Sequence, residues 1–369
     1  MTPRERFLAT LDGTGPDQVP CSPLFHYRYA HVRLGRSDWQ AVFELHGQLG
    51  TVHFRGPIGL GISATMPAGY SRRSEVVRRE GTRVETRHWI TTPRGELTSL
   101  DVQGMIPQDP MTSKTVEYFV KDREDWRIYQ DWLERQAETA TPWTEMAREA
   151  HSLMGEEGVA SCGLGCVFQS LGQARGMQAL VYDLYDCPEL LEACAEPIQY
   201  MQELEAAAFA ELPNEVAWID ICWATGAEIS PEDMERWVLR GARRQIELIH
   251  SKPRHWVGYF TLGRIRRYLP ALVDTGIDFI ETFEPNQGDV TLEEARQQWG
   301  DKVTLMGNFD CNVLAFGSVE DARAEARRCL REGMEGGRYV MVTGDEVPAD
   351  ARWENLQAMA EVCAEEGRY

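Results

Sequence analysis

Long hydrophobic runs are missing from this chain: no stretch of roughly 18 or more apolar residues breaks its polar and charged pattern. That argues against a membrane-spanning helix. The opening residues, MTPRERFLATLDG, are charged and of helical type where a secretory leader would carry an apolar core. Positive charge is also scarce, with 38 Lys+Arg against 58 Asp+Glu and a formal net charge of -20. A surface of that sign repels phosphate backbones and anionic lipid, so neither nucleic acid nor membrane is expected as a partner. Cysteines do not pair up in any regular spacing. They stand at Cys21, Cys162, Cys166, Cys187, Cys194, Cys222, Cys311, Cys329 and Cys363, an odd number in a chain without a leader. A disulfide framework is therefore not expected, and most are read as reduced, buried residues of a cytoplasmic protein. Internal repeats and low-complexity tracts are absent too.

What is present is alternation. Short apolar runs ending in Gly, Asp, Asn or Pro read as buried parallel strands: QVPCSPLF (18–25), GVASCGLG (158–165), EVAWIDIC (215–222), HWVGYF (255–260), GIDFIETF (276–283), KVTLMGNF (302–309) and RYVMVTG (338–344). Helix-period segments separate them. SPEDMERWVLRGARRQIELIH has Ser230 as cap and Pro231 behind it, TLEEARQQWG has Thr291, and SVEDARAEARRCLREGM has Ser318. Adding one strand near FRGPIGLGIS, the chain predicts an α/β fold: a TIM-type (β/α)8 barrel with an N-terminal helical segment, as one domain over 1–369. An insertion over about 68–150 interrupts it. Its first part, RSEVVRREGTRVETRHWITTPRGELTSLDV, alternates as a β-hairpin, and KDREDWRIYQDWLERQAE and TPWTEMAREAHSLMG follow as helices.

In such a barrel the chemistry sits at the carboxyl ends of the strands. That rule selects His26, Tyr27 and Arg28; Cys162, Cys166 and Gln169; Asp220 and Cys222; Tyr259 and Phe260; Glu281 and Glu284; Asn308, Asp310 and Cys311; and Asp345 and Glu346. Asp220, Glu281, Asp310, Asp345 and His26 are the candidates for proton transfer. Phe25, Trp223, Tyr259 and Phe260 are candidates for an aromatic wall, with Gln169 and Asn308 as polar contacts to substrate. Each has a structural alternative. Cys222 reads first as a small core residue and His26 as a hydrogen-bonded wall, while Asp310 reads equally as a helix cap and Asp345 as a turn residue. Cys162 and Cys166 form a C-x3-C with no second pair nearby, a poor zinc spacing. His250 and His255 fall at the wrong end of the barrel and read as surface residues.

TPRERFLATLDGTGPDQVP, TPRGELTSL with VEYFVKDREDW, GLGCVFQSLGQARGMQALVYDLYDCPELL, AEISPEDMERWVLRGARRQIELIH, LMGNFDCNVLAFGSVEDARAEARRCL and PADARWENLQAMAE follow one another in a familiar order. In that order they resemble the uroporphyrinogen decarboxylase superfamily, in particular its branch of corrinoid-dependent methyltransferases. The resemblance spans nearly the whole chain and implies a TIM-type barrel. Members of that branch carry His-x-Cys-Gly at the end of strand five and a later Cys after strand eight, to hold zinc. Here Gly263, thirteen residues before Gly276-Ile277-Asp278, aligns with the motif glycine and puts Phe260 and Leu262 at the ligand positions. Asp345 fills the strand-eight position. A frame anchored on His255 puts that histidine at the wrong end of the strand. No metal is therefore expected at the usual motif, and the remaining soft or charged candidates are Cys222, Cys311 and Asp345.

The resemblance implies an enzyme that demethylates a small methoxylated or methylamine-type compound, with the corrinoid supplied by a partner protein and no tightly bound cofactor of its own. A metal-free decarboxylase or lyase on a small substrate, and a non-catalytic binding protein on the same barrel, are the alternatives. Octacarboxylate decarboxylation is disfavoured: FHYRYAHVRLGRS lacks that enzyme's arginine-rich pattern, and TGDE after strand eight has no histidine. A homodimer is the default assembly for such barrels.

Overall fold

A computed structural model of the chain describes residues 1–55 and 59–369. Its strands run, in chain order, β1 (Gly61–Ser63), β2 (Ser71–Glu80), β3 (Arg83–Thr92), β4 (Gly95–Gln103), β5 (Ser113–Glu117), β6 (Thr141–Trp143), β7 (Cys162–Leu164), β8 (Val216–Asp220), β9 (Trp256–Phe260), β10 (Phe279–Thr282), β11 (Thr304–Phe309) and β12 (Tyr339–Thr343). Strands β7 to β12 form one parallel sheet in sequence order. Helices separate consecutive members, and β9 to β12 are buried along their full length, which is why they read as unbroken apolar runs.

The regular ladder stops at six strands, but hydrogen bonds continue around its ends. Ser22 N donates to Met341 O and Met341 N to Pro20 O, setting a parallel bridge between Cys21 and β12. Val52 N donates to Cys21 O, and Val159 N to His53 O beside a parallel His53–Gly158 bridge. The two extended segments around residues 20–22 and 52–55 therefore link β12 back toward β7. They were expected as full strands. Pro20 and Pro23 have no N–H to give, so the first segment is held at isolated points. Of the expected strand in FRGPIGLGIS, residues 56–58 lie outside the described residues, Gly59 makes a parallel bridge to Gly163 of β7, and Gly61–Ser63 pairs antiparallel with β6.

The insertion is larger than the expected hairpin: β2, β3, β4 and β5 make a four-stranded antiparallel meander. Its outer strand β2 is exposed throughout, carries Arg72, Arg73, Arg78 and Arg79, and shifts register between Val76 and Arg78. Charge and a bulge on an edge discourage pairing with another chain. The helix Arg123–Glu138, capped by Asp122, buries Trp126, Ile128, Trp132 and Leu133. Later helices start where the sequence indicates, with Ser230, Thr291 and Ser318 each accepting from a backbone N–H three residues on.

Two apolar layers lie on either side of the sheet. Val257, Tyr259, Ile280, Leu305 and Met341 point to the helices. Val216, Phe260, Phe279, Met306, Val340 and Val342 point to the other side, where the N-terminal helix Pro3–Asp12 adds Phe7, Leu8 and Leu11. Phe7 stacks on Phe54 at 4.8 Å, and Thr304 Oγ1 at the start of β11 donates to Thr10 O. The N-terminal helix thus stops the amino ends of the strands and leaves the carboxyl ends open for a site. No helix among the described residues is long and apolar enough to cross a membrane.

Candidate functional site

A cavity of about 620 Å³ lies at those carboxyl ends, lined among others by His26, Arg28, Arg55, Trp218, Asp220, Cys222, Phe260, Leu262, Asp345 and Glu346. Two loops complete the wall: Ile106, Gln108 and Asp109 after β4 of the insertion, and Val347 to Asp350 after β12. A second groove of about 470 Å³ runs between helices, and its Arg236 and Arg240 are already paired with Glu192.

At the floor, the Arg55 guanidinium lies 3.8 Å from the Trp218 ring centre and 4.0 Å from that of Phe260. Its Nη1 pairs with Glu281 Oε2 at 3.1 Å, and Glu281 is wholly buried. Burial raises the Glu281 pKa above the usual carboxylate value, and Arg55 pulls it back. Immediately after Glu281 the backbone turns sharply through Thr282 and Phe283, at φ 89° and 47°, where side-chain-bearing residues are strained. Asn308 Nδ2 holds that turn by donating to Phe283 O at 2.9 Å.

The walls carry the titratable groups. Asp220 is fixed by Gln169 Nε2 at 2.8 Å and by the Cys222 backbone N–H at 3.0 Å. Asp345 accepts from the Glu346 N–H at 2.7 Å, while its carbonyl accepts from Thr343 Oγ1 at 2.6 Å and the Cys311 thiol at 3.3 Å. Glu346 faces His26 Nδ1 at 3.7 Å and Arg28 Nη1 at 3.9 Å. Burial raises the pKa of both Asp345 and Glu346. The same burial, helped by Arg28 and Arg55, brings His26 down to about 3, so the imidazole is neutral at physiological pH. Two carboxyls made less acidic by burial thus line the same cavity as the apolar Phe260 and Leu262.

Sequence reading placed Asp220, Glu281, Asp345, His26 and Phe260 at or beneath this cavity, and the structure brings them together. Gln169 acts through Asp220. Other candidates fall elsewhere. Phe25 is fully buried, stacked on Tyr29 in the layer between sheet and helices. Tyr259 is one residue from Phe260, and successive strand side chains alternate, so it faces the helices and donates to Thr275 Oγ1. Trp223 packs its ring over Gly172. The Asn308 side chain is spent on Phe283 and Arg328. Asp310 caps the helix Cys311–Phe316 and accepts from Asn286, the structural alternative stated above. Sequence reading missed Arg55 and Trp218, whose only signals were a charge inside an apolar run and an aromatic in strand β8.

The donors present do not fit zinc. Phe260 and Leu262 line the cavity at the positions where the resemblance calls for His and Cys. Burial holds the Cys222 and Cys311 thiols well above the usual thiol value, Cys311 at about 12. Among the described residues no three His, Cys, Asp or Glu side chains gather as a ligand set.

A family model described as uroporphyrinogen decarboxylase (URO-D) matches residues 158–366, more than half of the chain. The chain belongs to the uroporphyrinogen decarboxylase family. The match contains β7 to β12, whereas His26, Arg28 and Arg55 come from outside it. A uroporphyrinogen decarboxylase of Methylococcus capsulatus is 26% identical over 200 residues, covering 53% of this chain and 54% of that protein. Its counterpart in Chloroherpeton thalassium is 28% identical over 151 residues, 40% of this chain and 41% of the relative. The matched part thus spans about half of these relatives or less. A methyltransferase from Methanosarcina mazei superposes over 99% of both chains with a TM-score of 0.65 at 14% identity. That likeness is one of fold, and together with the family match it implies a TIM-type barrel.

Proposed function

We propose that this URO-D family member is a methyltransferase-like enzyme that removes a methyl group from an oxygen or nitrogen of a small substrate and passes it to a corrinoid protein. The observation that carries this reading is the pair Asp345 and Glu346, whose protonated forms are favoured by burial, lining the same cavity as the apolar Phe260 and Leu262. When its bond to the methyl carbon breaks, the leaving oxygen or nitrogen keeps the electron pair and needs a proton or a polarising partner. With zinc ligands replaced by Phe260 and Leu262, a carboxylic acid is the group at hand to supply that proton. Glu346 is the first candidate, with the neutral His26 imidazole 3.7 Å and the Arg28 guanidinium 3.9 Å from its carboxyl. Asp220, held by Gln169 and the Cys222 N–H, lines the same cavity. The corrinoid, carried by its partner, supplies the methyl acceptor.

Purified protein is incubated anaerobically with a reduced corrinoid and a panel of methoxylated and methylated-amine compounds, and alkylation of the corrinoid is followed by absorbance. Turnover of at least one compound is expected, with Glu346→Gln lowering kcat by about a hundredfold or more. Absence of alkylation across the panel overturns the reading. A metal-free decarboxylase or lyase is the second reading, supported by the two guanidinium groups in the cavity and by the names of the curated relatives. Carbon dioxide released without corrinoid would decide for it.

A further inference from the structure

The helix Arg123–Glu138 of the insertion packs on the helix Pro188–Ala210 that follows β7. On each, residues three or more positions apart fall on one face: Tyr129 and Trp132 on the first, Ile198, Met201 and Glu205 on the second. They line a cavity of about 360 Å³, closed from the insertion side by β2, β3 and Phe119. None of its lining residues is shared with the cavity at the strand ends. A helix face turned inward is normally apolar, and Glu205 breaks that pattern. Glu205 is half-buried, and burial is the one influence on its carboxyl, raising it to about 7 with no cation and no hydrogen-bond donor among the described residues beside it. Gln202, on the same helix face, donates its Nε2 to Ser170 Oγ at 3.3 Å and leaves the carboxyl unserved. The other titratable groups on the wall are Tyr129, a phenol that burial pushes up to about 12, and Arg72. Arg72 lies on the exposed strand β2, its guanidinium 5.9 Å from the Phe119 ring centre, and is not among the influences on Glu205.

A carboxylate withdrawn from water without a partner is costly, and an entering cation removes that cost. Aromatic side chains attract the same charge. We propose that this cavity is a second ligand site, holding a small organic monoamine whose ammonium pairs with Glu205 and whose apolar body lies among Phe119, Tyr129 and Trp132. Its volume is near the lower end for ligand pockets, which limits the occupant to a single ring or a short chain. One positive charge is the right number, because Arg72 repels a second. The site stands apart from the chemistry proposed above and needs neither the corrinoid nor Glu346. An ammonium favours the ionised carboxylate, so binding releases a proton below about pH 7 and strengthens as pH rises through that value. Tyr129 stays neutral across that range and a guanidinium keeps its charge, so Glu205 is the lining group that titrates.

Isothermal titration calorimetry on the full-length protein tests this with benzylamine against benzyl alcohol and cyclohexylamine against cyclohexanol, pairs matched in size and different in charge. At least one amine is expected to bind about tenfold or more tightly than its alcohol. Its affinity should rise by about tenfold from about pH 6 to about pH 8, with proton release seen as a dependence on buffer ionisation enthalpy. Glu205→Gln keeps the size of the side chain and removes its charge, so it should abolish both the preference for amine and the pH dependence. Gln173→Trp, at an exposed position of the wall, narrows the cavity without touching the carboxyl and should weaken the amine, which keeps the test open should Glu205→Gln not fold. Glu346→Gln alters the strand-end cavity alone and should leave amine binding intact. Equal binding of amine and alcohol, binding of neither, an amine affinity that is flat in pH, or a preference that survives in Glu205→Gln each overturns the proposal. So does amine binding that is unchanged in Gln173→Trp, or lost in Glu346→Gln, which would place the amine at the strand ends.

Discussion

Removing a carboxylate and a guanidinium from water costs least when the two are paired, and Arg55 and Glu281 are paired through one contact, Nη1 to Oε2, with side-chain exposures of 9% and 0%. The pair is a device for placing a charge at the cavity floor, and its energetics follow from which partner is left alone. Glu281→Ala strands the guanidinium and is expected to cost about 3–5 kcal/mol in urea unfolding. Glu281→Gln keeps an acceptor for Nη1 and should cost about 1–3 kcal/mol. Replacing both partners, Arg55→Met with Glu281→Leu, should return most of the stability, so the two sites are strongly non-additive. Additive losses in that cycle would show that the two side chains are not acting as a pair.

Asp310 shows how the start of a helix can imitate a catalytic position. It follows β11 at the carboxyl end of the sheet, where chemistry is expected, but its carboxylate accepts from the Asn312 N–H at 2.8 Å and from Asn286 Nδ2 at 2.8 Å. Asp310→Ala should lower stability by about 1 kcal/mol, and Asp310→Asn, itself a good cap, should retain both stability and turnover. A kcat loss of about a hundredfold in the Asn variant would return Asp310 to the chemistry. Elements of this kind were legible in the sequence because their signals are local: the buried runs of β8 to β12, the caps Ser230, Thr291 and Ser318, and the turn around Gly81. Signals spread across the chain were not. Strands β9 to β11 are buried on both faces, so alternation separates Tyr259 from Phe260 without saying which of them faces the cavity. Strand β5 is short and largely exposed, which hid the fourth strand of the insertion. The burial of Arg55 depends on Glu281, 226 residues away, and no local pattern announces a partner at that distance.

At the scale of the molecule, the pH dependence of stability sums over every group that folding perturbs, and here the perturbations have two signs. Burial lowers His53 from an ordinary 6.5 to about 4, with Nδ1 placed against Val159 O at 3.1 Å, and lowers its neighbour His46 further still. A depressed histidine gives stability that is present above its unfolded pKa and is lost as pH falls through the folded one, because the unfolded chain takes up the proton first. Glu281, Asp345 and Glu346 are raised, so what they contribute is present at low pH and lost as pH rises through their folded values. The histidine window opens on acidification below about 6.5. The histidines alone should therefore lower stability as pH falls from there, with a slope of up to one proton per buried histidine, while the raised carboxyls act in the opposite direction. For His53 alone the loss on reaching about pH 4 is on the order of 3 kcal/mol. The measurement is the urea midpoint as a function of pH for the parent and for His53→Asn, whose amide can still donate to Val159 O. The variant should show a shallower slope by about one proton between about pH 6 and 4.5, and an unchanged slope would place the linked protonation elsewhere.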